Sequence, residues 1–178
     1  MSQTPPTMGR MQQSELTVRR TTEADWPAVR DLRLEMVQDT PIAFGETYET
    51  ALAVPESEWR MRAARGSSPS SLGLAAIVDE RWVGTMGAYV PAGSGALLVG
   101  VYVTPDFRGS SAGVADALLG RVEEWARERG TTLTLHVHFQ NTRARAFYAR
   151  RGFVDTGQTF PYVLAPTDFE HEMVKQLD

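Results

Sequence analysis

Between Val103 and Gly113 the chain reads Val-Thr-Pro-Asp-Phe-Arg-Gly-Ser-Ser-Ala-Gly. An unbroken run of small residues, Gly109, Ser110, Ser111, Ala112 and Gly113, leaves the backbone open to close approach by a ligand. The segment follows an apolar run and opens a helical pattern, and the first amides of a helix have no intrahelical acceptors. Aligned peptide dipoles add about half a positive charge at that end. The chemistry this arrangement supports is the holding of a phosphate or pyrophosphate, with Arg108 supplying a full positive charge beside it. A Walker loop would end in Gly-Lys-Ser/Thr, and no Lys follows here. A dinucleotide loop would normally open the first β-α unit, whereas this one comes after three other strand patterns. Taken alone, the same residues also fit a turn that only reverses the chain.

Two further groups of residues are suited to chemistry. His136 and His138 lie two apart in an alternating segment, so both point to one face of a strand. They fit a metal pair, a proton relay or two polar positions on a cleft wall; no third ligand is evident, and no metal is expected. Arg143, Arg145, Arg150 and Arg151 have no acidic residue between them, which fits either a solvated helix face or a contact for phosphate.

The elements that must position these residues follow from periodicity. Leu16 to Arg20 alternates as a strand. Thr22 and Asp25 form an N-cap with an acidic partner, predicting a helix that carries Trp26, Val29, Leu32 and Met36 and ends near Asp39 to Pro41. Ile42 to Val54 has no clean period and reads as a loop; Pro55 to Ala64 reads as a second helix. Leu72 to Val78 and Trp82 to Val90 are strands joined by a polar turn, Asp79 to Arg81. Ala96 to Val103 is almost wholly apolar, as a strand covered on both faces would be. A helix over about Ala112 to Arg129 sets Val114, Leu118, Val122 and Trp125 on one stripe and stops at Gly130. A strand through Leu133, Leu135 and Val137, a helix from Asn141 to Arg151, and strands near Phe153 to Phe160 and Phe169 to Leu177 complete a mixed α/β sheet in one domain.

Bulk properties agree with that. At 178 residues the chain is one domain by length, and its 42% hydrophobic and 22% charged content is ordinary for a globular protein. A net charge of −4 gives no global field for nucleic acid or an anionic membrane, so neither is expected as a partner. The absence of cysteine excludes disulfides, zinc-thiolate sites and a cysteine nucleophile. Residues 1–14 are polar, with Pro5, Pro6 and Gly9, and lack the apolar core of a signal peptide; a mobile tail is expected there and the folded domain over 15–178. No apolar run approaches the roughly 18 residues of a membrane helix, and the default location is cytoplasmic.

The loop does not stand alone. One strand and one helix downstream lies Asn141-Thr-Arg-Ala-Arg-Ala-Phe-Tyr-Ala-Arg-Arg-Gly-Phe153. Together the two blocks resemble the signature of the GNAT superfamily of acyl-CoA-dependent N-acetyltransferases. That signature has Val-x-Pro closing a strand, Arg-x-x-Gly-x-Gly/Ala opening a helix, then Asn-x-x-Ala-x-x-x-Tyr-x-x-x-Gly-Phe. Here these are Val103 and Pro105, Arg108 to Gly113, and Asn141, Ala144, Tyr148, Gly152 and Phe153. The element order matches from about Leu16 to Leu177. One departure stands out: Ser111 occupies the position of the first glycine after the arginine.

The resemblance implies a mostly antiparallel sheet of about seven strands with four helices, splayed between the fourth and fifth strands. It implies acetyl-CoA as co-substrate, its pyrophosphate on the amides from Arg108 to Val114 and its pantetheine arm beside the strand ending at Val103. A backbone amide near Val101 would face the thioester oxygen, where charge develops. Asn141 would touch the arm, cap its helix, or do both. Tyr148 would be the general acid that protonates the departing thiolate; otherwise it is a core aromatic. The acceptor would be a primary amine of a small molecule or peptide. Holding a lysine-like ammonium neutral at pH 7 costs about 4 to 5 kcal/mol, so a base is expected. The fourth strand has no acid; Glu46, Glu49, His136 and His138 are the candidates. Phe44, Glu46 and Tyr48 fall where the family builds its acceptor pocket, although plain packing of that loop explains them equally well. The arginines after Asn141 would meet the 3′-phosphate if they bind at all. A homodimer through the closing strands is an assembly the resemblance allows. A non-catalytic CoA-binding sensor or interaction module, and acetylation of protein N-termini, are the competing functions.

Overall fold

The computed structural model describes residues 15–109 and 111–178; the predicted tail over 1–14 and Ser110 lie outside the described residues. The strands are β1 (Leu16–Arg20), β2 (Ser71–Val78), β3 (Arg81–Tyr89), β4 (Ala96–Val103), β5 (Thr132–His138), β6 (Val154–Tyr162) and β7 (Ala165–Gln176). The helices are α1 (Trp26–Asp39), α2 (Tyr48–Leu52), α3 (Glu56–Ala64), α4 (Val114–Arg127) and α5 (Thr142–Ala149). The strands form one sheet in the order β1-β2-β3-β4-β5-β7-β6.

Local chemistry accounts for these boundaries. The Thr22 amide donates to the Asp25 carboxylate at 2.8 Å, closing the expected capping box in a short 3-10 turn ahead of α1. Asp79 and Glu80 both take positive φ, 47° and 65°, as the two-residue hairpin between β2 and β3 requires. The stripe on α4 is buried as predicted: Val114, Leu118, Val122 and Trp125 pack on β2, β3 and β4. The helix count differs from expectation by α2, which forms inside the segment read as a loop. Thr47 caps it, its hydroxyl accepting from the Thr50 amide at 3.2 Å. A helix this short never completes the period by which helices are read from sequence.

The sheet divides the core. One face carries α4 and the main apolar cluster; the other carries α1 with Leu32, Met36 and Tyr102, backed by Phe44 and Trp82. The functionally telling feature is the junction of β4 and β5. They run parallel but pair only at Ala96↔Leu133 and Leu97↔Thr134. Beyond that point the two strands are parted. On its other side β4 pairs with β3, and there the register jumps: Thr85 faces Tyr102 while Gly87 faces Val99. Met86 therefore stands opposite two residues, Gly100 and Val101, in a β-bulge. Gly100 takes φ 60°, the left-handed conformation that favours glycine at such a bulge.

Candidate active site

The small-residue loop leaves β4 through a 3-10 turn, Pro105–Phe107, and ends at the N-terminus of α4. Gly109 and Gly113 have φ 100° and 65°. Among the described residues, chain neighbours aside, a Cβ added at either would meet no atom within 4 Å, so backbone conformation rather than crowding calls for glycine. The first helical bond of α4 runs from the Ala117 amide to the Gly113 carbonyl at 2.9 Å. The amides of Val114, Ala115 and Asp116 are therefore left without intrahelical acceptors. Asp116 would oppose an anion here, but Arg151 takes both its oxygens, at 2.6 and 2.8 Å. That hydrogen-bonded pairing holds its carboxyl below the usual range.

Arg108 departs from expectation. Its Nε donates to the Val103 carbonyl at 2.7 Å, its guanidinium pairs with Asp39 at the end of α1, and it lies 5.4 Å over the Tyr102 ring. Rather than standing as an unpaired charge beside the loop, it fastens the loop to α1. The arginines of α5 are likewise half committed: Arg145 pairs with Asp155 and Arg151 with Asp116, whereas Arg143 and Arg150 are exposed.

Asn141 caps α5, its Oδ1 accepting from the Ala144 amide at 3.2 Å. At the other end of that helix, Gly152 at φ 88° lets the Phe153 amide return to the Tyr148 carbonyl at 3.1 Å. Tyr148 is buried between Phe147 and Phe153, with ring centroids at 5.3 and 5.5 Å. Burial pushes its phenol well above the usual tyrosine value, so it stays protonated. No described residue hydrogen-bonds its hydroxyl. Val101 lies in the bulge, and among the described residues the β5-facing edge of β4 from Leu98 onward has no strand partner.

On the α1 side of the sheet lies a cleft of about 900 Å³. It reaches β4 at Val99 and Gly100 and β5 at His136, the two sides of the parted pair. Phe44 and Glu46 line it; Tyr48 and Glu49, carried off on α2, do not. Glu46 is not a free carboxylate. Burial would raise its pKa, but hydrogen bonds from Arg62 and Arg33, at 3.1 and 2.7 Å, outweigh that and hold it ionised. It is spent on internal ion pairs, which disqualifies it as base or cation trap.

The two histidines separate. His136 is a third exposed, stacks on Phe160 at 4.5 Å and has Nε2 3.8 Å from Glu172. His138 is fully buried against Phe139 and Tyr162, and its Nδ1 accepts from the Gln140 amide at 3.3 Å. Only His136 lines the cleft. Among the described residues no group of three or more acidic or histidine side chains is placed to hold a metal. Residues missed at the sequence level are Arg33, Arg62, Arg65 and Glu170, all on the cleft wall. Glu170 had a signal: Asp168, Glu170 and Glu172 alternate along β7 opposite His138 and His136.

A seven-stranded sheet parted at one parallel junction, with an anion-ready loop following the parted strand, defines an acyltransferase-like architecture. The model of the acetyltransferase (GNAT) family matches residues 29–153. The chain belongs to the GNAT acetyltransferase family. It is similar to a GNAT-family acetyltransferase from Streptococcus pneumoniae (TM-score 0.77, 18% identity, 92% of this chain and 100% of that one). It is also similar to yncA from Salmonella typhimurium, solved with its cofactor acetyl-CoA (0.74, 21%, 93% and 95%). A third likeness is to a GCN5-related N-acetyltransferase from Kribbella flavida (0.71, 25%, 91% and 98%). No curated protein matches the sequence. Among the described residues no helix is long and apolar enough to cross a membrane.

Proposed function

We propose that this chain moves an acetyl group from acetyl-CoA to a primary amine of a small molecule or peptide by direct attack. The observation that carries the reading is the parted β4–β5 junction, bordered by the cleft at Val99, Gly100 and His136 and followed three residues after Gly100 by the loop strand's end at Val103. Acetyl-CoA fits the loop: Gly109 and Gly113 keep the approach free of side chains, and the α4 amides await an anion. When bound it supplies an activated acyl group and a thiol leaving group.

The residues of the chain then have distinct tasks. The amides at the α4 N-terminus hold the pyrophosphate. The unpaired edge of β4 aligns the pantetheine arm, and the amide of Val101 in the bulge receives the developing charge on the thioester oxygen. At the cleft, His136 takes a proton from the incoming amine, its Nε2 lying 3.8 Å from the Glu172 carboxylate. As the new C–N bond forms and the C–S bond breaks, Tyr148 gives its proton to the sulfur. With no partner among the described residues, that hydroxyl is ready to donate. The test is thiol release from acetyl-CoA with a panel of primary amines. Turnover with at least one amine supports the reading; tight CoA binding with no turnover on any amine would make the chain a binding module instead.

A further inference from the structure

The wall of the cleft is electrically uneven. At the α3 end stand three guanidinium groups, Arg33, Arg62 and Arg65, against two carboxylates, Glu46 and Glu58. Arg62 is saturated: its nitrogens donate to Glu46 and Glu58 at 2.7 to 3.3 Å. The other two are not. Arg33 donates through Nε to Glu46 and through Nη2 to the Phe44 carbonyl, and its Nη1 has no partner among the described residues. Arg65 has no hydrogen bond or ion pair to its guanidinium at all among the described residues. Burial lowers the pKa of Arg33, and Arg62 and Arg65 push the same way against Glu46. A second anion at this spot would relieve that repulsion. The opposite end of the cleft, beside the parted strands, has the reverse character, with Glu170 and His136.

We infer that the acceptor amine also carries an anionic group, a carboxylate or a phosphate, several bonds from its nitrogen, and that Arg33 and Arg65 receive it. The spacing comes from the sheet. Arg65 is anchored on β2, its carbonyl accepting from Ser71 Oγ at 3.0 Å. Ser71 lies across from Tyr89 and Tyr89 from Leu97, so the bulge at Gly100 on β4 is two strands across and three residues along, or about 14 Å at roughly 4.8 Å per strand spacing and roughly 3.3 Å per residue. A free α-amino acid, with amine and carboxylate on one carbon, is too short to span it. This inference rests on the catalytic reading above and specifies its substrate class.

The experiment compares ω-amino carboxylates, from glycine to aminooctanoate, with uncharged alkylamines of equal length and with aminoalkyl phosphates, using thiol release from acetyl-CoA. The expected result is a kcat/KM advantage of about tenfold or more for the anionic acceptors, the scale of a charge-assisted hydrogen bond. It should peak at an intermediate length. Arg65→Met should collapse that advantage and Arg65→Lys should restore part of it. Arg65 is exposed and makes no side-chain bond within the described residues, so either variant should fold. Whether carboxylate or phosphate gains more identifies the group without altering the inference. Alkylamines turned over as well as their anionic partners at every length would overturn it, as would an advantage that survives Arg65→Met. Turnover of no amine while acetyl-CoA binds would instead overturn the catalytic reading beneath it.

Discussion

Replacing Tyr148 with Phe removes one hydroxyl from the proposed proton donor and leaves its ring in place. The cost to folding should be small. That hydroxyl makes no bond to a described residue, and the ring contacts with Phe147 and Phe153 remain. The change should stay well below the roughly 1 kcal/mol of a lost hydrogen bond. The kinetic cost should be large. A positioned general acid contributes about 10²- to 10⁴-fold, or about 3 to 5 kcal/mol in the barrier at roughly 1.36 kcal/mol per decade. Because the interaction is made only as the thiolate departs, kcat and kcat/KM should fall together and CoA affinity should barely move. Acyl donors with more acidic thiols should lose less, since a stabler thiolate needs less protonation. Burial adds a second readout. A phenol whose pKa is raised in the fold keeps its proton while the unfolded chain loses its own, so its contribution is full below about pH 10 and drains away above it. The Phe variant should therefore gain stability relative to the parent in alkaline denaturation. Near-full kcat in the variant, with chemistry shown to be rate-limiting, would refute the general-acid assignment.

Gly113→Glu should abolish CoA binding in calorimetry, because it sets a carboxylate on a left-handed residue at the α4 N-terminus; normal affinity in the folded variant would remove the loop from the site. Ser111→Gly should leave CoA affinity unchanged or tighter, and a large loss would make the serine hydroxyl a ligand. Asp25 is held at about 2 by its bonds from Arg19 despite partial burial, so its stabilisation is present above about pH 4 and lost as pH falls toward 2. Allowing for the exposure of Arg19, Asp25→Asn should cost about 1 to 2 kcal/mol at pH 7 in urea denaturation and little near pH 2.

Elements whose signal is local were legible. The α4 stripe, the capping box at Thr22 and Asp25, and the loop with its downstream Asn141 to Phe153 block all depend on residues a few positions apart. What sequence reasoning missed depends on partners far along the chain. Arg108 looked like a loose cation because Asp39, which neutralises it, is 69 positions away. Glu46 looked like a cation trap because its guanidinium partners come from α1 and α3. His136 and His138 share a strand face, and period two cannot tell that β6 and β7 seal one and leave the other at the cleft. α2 failed for a different reason, being too short to repeat.

The parted β4–β5 junction also bears on aggregation. An unpaired strand edge ordinarily recruits another strand, which is why edges are kept short, charged or covered. Here such an edge lies in the middle of a sheet. The two strands are still joined at Ala96 and Leu97, so the opening is a wedge closed at one end. A neighbouring molecule cannot add sideways, as it could at β1 or β6, because β5 already stands across the approach. Only a slender chain fed in from the open end can reach those backbone groups. The fold thus keeps a row of backbone groups, without a strand partner among the described residues, available to a thread-like ligand while denying it to the strands of other proteins.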